Sequence, residues 1–233
     1  MRRATSANLL ELWERAERCD PQQRALLLLA WSLPDHDLET LAELDLGQRD
    51  WHLLRLRRAM FGSQLVGHTD CPNCGERLEI ELDARQLQDG ELPLPEPPQY
   101  ECADGRRFRL PNSGDLIAIS GMEDVDHAAR ELFSRCSLSD TGTGLETDAP
   151  DIEKGLAALA ADRAFRLDLA CVACNERWLF DFDPAGFVWE EIRARALELL
   201  DEVDQLASAY GWSEADILAQ SEVRRAAYLS RAN

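Results

Sequence analysis

Residues 71–83 read Cys-Pro-Asn-Cys-Gly-Glu-Arg-Leu-Glu-Ile-Glu-Leu-Asp, and residues 171–183 read Cys-Val-Ala-Cys-Asn-Glu-Arg-Trp-Leu-Phe-Asp-Phe-Asp. With an offset of one hundred positions, Cys71, Cys74, Glu76, Arg77 and Asp83 recur as Cys171, Cys174, Glu176, Arg177 and Asp183. The apolar positions alternate in step: Leu78, Ile80 and Leu82 match Trp178, Phe180 and Phe182. This is an internal repeat in which a C-x-x-C turn leads into a half-buried strand. Two residues between thiolates let both sulfurs reach one ion at ~2.3 Å, and Gly75 or Asn175 supplies the positive φ of such a turn. Two such turns complete a four-cysteine set with no open position, the pattern of a structural rather than a catalytic zinc site. Cys71, Cys74, Cys171 and Cys174 are therefore expected to hold one structural Zn2+ in a zinc ribbon split by an insertion from Arg85 to Ala164.

Ordinary buried cysteines would not explain the shared flanks. A thioredoxin-like redox pair asks for a strand-to-helix context, whereas strands follow both pairs. His68, three residues before Cys71, could displace one thiolate, but with four cysteines at hand it reads as a surface histidine or a neighbour of the ligands. Cys19, Cys102 and Cys136 have no matching partners and read as small core residues.

Around this repeat the chain divides into five stretches. Residues 1–62 are helical by signal: Asp20-Pro21 caps a segment whose buried face is Ala25 to Trp31, and Pro34 stops it. A second helix fits Gln48 to Phe61, with Trp51, Leu54 and Phe61 on its apolar side and Gly62 after its end. Residues 63–91 form the first ribbon half and residues 164–184 the second. Between them, residues 92–163 make an α/β insertion. It holds a Pro-rich connector from Leu92 to Pro98, a hairpin over Tyr100 to Leu110 turning at Asp104-Gly105, helices near 115–119 and 125–133, and a mobile loop at 137–150.

Residues 185–233 are helical. From Phe187, the residues Trp189, Ile192, Ala196, Leu199, Val203, Leu206 and Tyr210 fall at alternating threes and fours, a seam that packs either within the chain or on a partner helix. Gly211 ends it, and Ser213 with Asp216 opens a short helix. Tyr210 and Trp212 sit at this break, as a capping contact or as a partner-binding surface. The fold class expected is α+β, with helical ends around the split ribbon.

Composition narrows the function. The 233 residues carry 25 Lys and Arg against 44 Asp and Glu, a net charge of -19, which repels nucleic acid and anionic membranes. The longest apolar run, Ala25 to Trp31, is far short of the ~20 residues of a membrane span. No secretory apolar region can be drawn in residues 1–15, so a reducing, cytoplasmic setting is expected, where paired cysteines mean metal. His36, His52, His68 and His127 lie in separate segments, no Gly-rich phosphate loop is present, and Ser113-Gly114-Asp115 reads as a helix start. No enzymatic activity is expected. Arg55, Arg57 and Arg58 beside Trp51 and His52 read as a solvated helix face paired with acids, in preference to an anion site.

The run Arg49 to Arg57 (RDWHLLRLR) leading into CPNCG, the second turn CVACN, and YGWSEADIL at 210–218 followed by Arg224-Arg225-Ala226-Ala227-Tyr228 together resemble a known family. It comprises the baseplate hub and baseplate-assembly proteins of T-even-like phages and their relatives in bacterial contractile injection systems. The resemblance implies a non-enzymatic baseplate component or assembly chaperone, in the cytoplasm or within an assembled particle. Its partners would be other baseplate or tail proteins, met through helix-mediated association, with the ribbon as scaffold. Two other classes compete. A zinc-ribbon adaptor of transcription or RNA machinery would show a basic face, which the sequence largely lacks, and an enzyme with a structural zinc would show a matched acid and base.

Overall fold

The computed structural model describes residues 5–88, 98–139 and 145–232. The chain opens with α1 (Ser6–Ala16), capped by the Thr5 hydroxyl, which accepts from the Asn8 N–H. In α2 (Pro21–Ser32), Asp20 accepts from the N–H groups of Gln22 and Gln23 while Pro21 occupies the first turn, where its missing donor is harmless. A short α3 (Leu38–Ala42) precedes α4 (Leu46–Phe61). That helix starts two residues before the expected Gln48, because Gln48 is the third residue of a capping box: its side chain reaches back to the Asp45 N–H while Asp45 accepts from the Gln48 N–H. The buried side of α4 also differs from the expected Trp51, Leu54 and Phe61. Leu53, Leu54 and Leu56 are fully buried, whereas Trp51 and Phe61 are half-buried, since α2 and α8 grip the helix from two directions.

After Gly62, at φ 86°, the chain enters an antiparallel hairpin of β1 (Gln64–Asp70) and β2 (Arg77–Asp83). The connector at 92–97 lies outside the described residues. Then β3 (Gln99–Glu101) and β4 (Arg107–Arg109) pair around a turn in which Gly105 takes φ 86°. They are followed by α5 (Ser113–Ile119), α6 (Val125–Cys136) and α7 (Leu145–Ala161). Phe108, Leu110, Ile152 and Leu156 form a small core within this insertion. In α7, Gly155 is required where the helix meets the Tyr100 ring, which a methyl group would overlap.

Both described flanks of the loop expected at 137–150 take regular structure. Ser137 bridges to Phe108 and the Leu138 N–H donates to the Arg107 carbonyl at 2.8 Å, extending the β3–β4 ladder. From Leu145 onward the chain is helical through Pro150, drawn into α7 by burial of Ile152 and Leu156 one turn apart against the hairpin. Polar composition at 145–150 concealed a helix whose apolar anchors lie further along. Residues 140–144 lie outside the description.

A second hairpin, β5 (Arg166–Ala170) and β6 (Arg177–Asp181), leads into α8 (Pro184–Tyr210), which starts three residues before the expected Phe187 because Pro184 fits the first turn. Then come α9 (Glu214–Leu218) and α10 (Glu222–Ala232). The seam of α8 packs within the chain, against α1, α2, α4 and α10. Trp189, Ile192, Ala196, Leu199 and Leu206 are buried, Val203 is half-buried, and Tyr210 is exposed, so the seam fades at its last turn. Leu12, Leu28, Leu29, Leu53, Leu56, Val188 and Ile192 share one cluster, so the two ends of the chain form a single helical body. Each such side chain stabilises by ~1.5–3 kcal/mol on burial.

The insertion docks on this body through Asp45, which is 2% exposed. Asp45 bridges to Asn112, the cap of α5, and its Oδ2 accepts from Arg163 Nη1 at 2.7 Å. The architecture of the described residues is thus mixed: helices with three two-stranded antiparallel sheets and a cysteine cluster between two of those sheets.

Candidate metal centre

Both cysteine pairs sit at the turn of a hairpin, and the two hairpins are built alike. In the first, the Cys71 N–H donates to the Glu76 carbonyl at 2.8 Å and the Gly75 N–H to the Cys71 carbonyl at 2.9 Å. In the second, Cys171 and Glu176, then Asn175 and Cys171, repeat these bonds at 2.8 and 2.9 Å. Gly75 takes φ 73° and Asn175 φ 59°, the one positive φ of a non-glycine among the described residues. Asn tolerates this region better than other side chains because its short polar group bonds locally. The strand registers match under the offset of one hundred as well, Asp70 pairing with Arg77 and Ala170 with Arg177. The repeat seen in sequence is therefore a repeat of backbone geometry.

The turns bring the sulfurs together. Cys71 Sγ lies 3.7 Å from Cys174 Sγ, and Cys74 Sγ lies 3.6 Å from Cys171 Sγ. All four ligand atoms fall within 4.8 Å of one another. A disulfide needs ~2.05 Å. Four sulfurs placed ~2.3 Å from a central ion at tetrahedral angles are ~3.8 Å apart. The spacing fits the second arrangement, so the four cysteines could hold a metal ion. Cys71 and Cys171, which close the strands, are buried at 3% and 1% exposure, whereas Cys174 is half-buried and Cys74 exposed.

The sulfurs compete for protons. The Glu76 N–H favours the Cys74 thiolate, but hydrogen bonds with the neighbouring sulfurs outweigh it and push this thiol up to about 12. Cys174 is brought down to about 6 by the Glu176 N–H and by the Asn73 amide, whose Nδ2 donates to Cys174 Sγ at 3.6 Å. One thiolate is favoured at its neighbour's expense. A cation among them would end that competition by stabilising all four charges.

Asn73 is the contact that the repeat did not reveal. Its counterpart is Ala173, which has no side-chain amide, so the repeat gives this contact no equivalent from the second turn. His68 is exposed on β1 opposite Glu79 and is outside the cysteine cluster. Of the three remaining cysteines, Cys136 is fully buried, and burial pushes its thiol up to about 11. Cys19 and Cys102 are half-buried, short of the expected core positions, and Cys19 Sγ donates to the Arg15 carbonyl.

The other singled-out residues have local roles. Arg57 is not on a solvated face: it is 3% exposed and paired with Glu191. Arg55 lies 5.0 Å over the Trp51 ring. Trp212 stacks on Tyr210 with centroids 4.9 Å apart, Tyr228 abuts both rings edge-on, and the Tyr210 hydroxyl donates to the Tyr228 carbonyl at 3.2 Å. Among the described residues no helix is long and apolar enough to cross a membrane. No family model, no curated protein and no solved structure matches this chain.

Proposed function

We propose that Cys71, Cys74, Cys171 and Cys174 bind one zinc ion as thiolates in a split zinc ribbon, and that the chain is a non-enzymatic component or assembly factor of a contractile-tail or injection-system baseplate. The observation that carries the metal reading is the sulfur spacing of 3.6–3.7 Å between two turns of identical register. Four thiolates in a tetrahedron select zinc or iron among common metals, and zinc suits a fastening role because it has no redox chemistry. With all four positions taken by sulfur, the ion has no place for substrate and acts as a staple. It closes everything from Gly75 to Ala170 into one loop, which restricts the unfolded chain and holds the insertion against the helical body.

The assembly role rests on the resemblance of the RDWHLLRLR, C-x-x-C and YGWSEADIL segments to baseplate proteins, together with the net charge of -19, which suits a chaperone that masks a basic partner. Elemental analysis and X-ray absorption on protein purified without chelators test the metal: about one zinc per chain with four sulfur ligands is expected, and metal-free or iron-loaded protein refutes it. Co-purification with tail-sheath, tube and spike proteins tests the role. Zinc-loaded protein that captures none of them removes the baseplate assignment and leaves the staple standing.

A further inference from the structure

The two cysteine turns pair their sulfurs across the gap between the hairpins. Cys71 Sγ faces Cys174 Sγ at 3.7 Å, and Cys74 Sγ faces Cys171 Sγ at 3.6 Å. The offset of one hundred exchanges Cys71 with Cys171 and Cys74 with Cys174, so it maps one pair onto the other. Each pair also joins unlike members. Cys74 is exposed and Cys174 half-buried, whereas their partners Cys171 and Cys71 are buried. An oxidant in solvent therefore meets the outer sulfur of each pair first, with a second sulfur in contact behind it. That is the arrangement of a peroxide-sensitive cysteine beside a resolving one, present here twice. The turn hydrogen bonds from the Cys71 and Cys171 N–H groups to the Glu76 and Glu176 carbonyls hold both pairs in register. Closing a pair from 3.6–3.7 Å to the ~2.05 Å of a disulfide asks for a movement of about 1.6 Å, shared between two side chains.

We propose that the cluster is a redox-sensitive fastening: hydrogen peroxide converts it to two disulfides, Cys71–Cys174 and Cys74–Cys171, each linking one hairpin to the other, with release of the bound ion. Release of the ion rests on the metal reading, whereas the pairing of the sulfurs does not. In each pair the outer thiolate attacks a peroxide oxygen, an S–O bond forms, the O–O bond breaks and hydroxide leaves. The inner thiolate then attacks that sulfur, the S–S bond forms, the S–O bond breaks and a second hydroxide leaves. Protons from solvent turn both hydroxides to water. Each pair thus gives two electrons to one peroxide, and the whole cluster converts four thiolates, two peroxides and four protons to two disulfides and four waters. Thiolates ligate metal and disulfide sulfurs do not, so the ion loses its four ligands. Bonds across the gap keep the hairpins joined without metal, and the loop from Gly75 to Ala170 stays closed in both states. Bonds within each turn would let the hairpins part. A dithiol reductant reverses the step by exchange.

Hydrogen peroxide titrated into the zinc-loaded full chain tests this, with released metal read by 4-(2-pyridylazo)resorcinol. Trypsin leaves Cys71 and Cys74 together in residues 59–77, and Cys171 and Cys174 together in residues 167–177. Bonds across the gap therefore join these two peptides, and bonds within the turns leave them separate. About two equivalents of peroxide should release the metal completely while the joined peptide accumulates, and fragmentation should assign Cys71–Cys174 and Cys74–Cys171. Dimedone present during the reaction should label Cys74 and Cys174 in preference to Cys71 and Cys171. Cys74→Ser should confine the product to the Cys71–Cys174 bond; should that variant fail to fold, the dimedone pattern in the native chain decides. Separate peptides with internal disulfides, label mainly on Cys71 and Cys171, or sulfinic and sulfonic acids in place of disulfides would overturn the proposal. Protein that carries no zinc as purified removes the metal reading alone, and the same mapping on that protein still decides the pairing.

Discussion

Arg57 and Glu191 form a two-pronged ion pair between α4 and α8: Nε and Nη2 each lie 2.7 Å from a carboxylate oxygen, across 134 positions of chain. The third arm, Nη1, donates to the Gly62 carbonyl at 2.7 Å, so the guanidinium also closes the end of α4. Glu191→Ala leaves a buried guanidinium without its anion, and a loss of about 3 kcal/mol is expected in urea unfolding, at the low end for buried pairs because Glu191 keeps some solvent contact. The double replacement Arg57→Met with Glu191→Leu should recover most of it, since apolar pairs of similar volume replace buried ion pairs at little loss. If the single variant is as stable as the parent, water already compensates Arg57 and the pair does not join the helices.

If the four cysteines hold the proposed zinc, removing it should melt the two cysteine hairpins and spare the helical body. Neither hairpin contributes a side chain to any of the three buried clusters, and an isolated two-stranded hairpin is marginal in water. If the proposed zinc is bound, the ~10–16 kcal/mol of a structural site would go mainly into ordering β1, β2, β5 and β6. Hydrogen exchange read by mass spectrometry after chelation should show these strands losing protection while α2, α4 and α8 keep theirs. Cys71→Ser and Cys171→Ser, at the two buried cysteines, should reproduce the pattern. Simultaneous loss of protection throughout α4 and α8 would show that the staple supports the body as well.

Asp115 ties the insertion together, and its effect should depend on pH. Burial pushes this carboxyl up, but hydrogen bonds from Arg109, the Asn112 N–H and Arg135 outweigh that and hold it below the usual carboxylate range. A depressed native value means that its stabilisation is complete above the unfolded value of ~3.9 and is lost as pH falls through the lower folded value. Asp115→Asn should lower stability by roughly 1.5–3 kcal/mol at neutral pH, the range for charged hydrogen bonds. The difference from the parent should shrink below about pH 3.9. A gap that stays constant across that range would assign Asp115 a purely steric role.

Trp212 fastens α10 to the end of α8 by ring contacts with Tyr210 and Tyr228. At ~0.5–1.5 kcal/mol for each aromatic pair beyond area burial, Trp212→Ala should loosen α10 by roughly 1–3 kcal/mol. The readout is faster amide exchange over Glu222–Ala232, with the remainder of the helical body unchanged. Unaltered exchange in α10 would mean that the rings do not hold this helix and are available as a partner anchor.

The cysteine repeat was legible without coordinates because it is local: two residues between thiolates, a left-handed residue after each pair, and alternating apolar positions all act within a dozen residues. The caps at Asp20 and Ser213 and the stop at Gly211 were legible for the same reason. The buried face of α4 was not, because which of its sides is covered depends on α2 and α8, brought together only when the chain closes on itself. Polar residues near 145–150 spell a loop by composition, yet Ile152 and Leu156 pull them into α7 through contacts with a distant strand. Arg57 looked solvated beside Arg55 and Arg58 until Glu191 arrived from the other end of the sequence. Short-range spacing thus determined the four-cysteine cluster and the turns that present it. The tertiary structure alone decided which faces are buried and which charges are paired, because both depend on contacts between residues that sequence distance keeps apart.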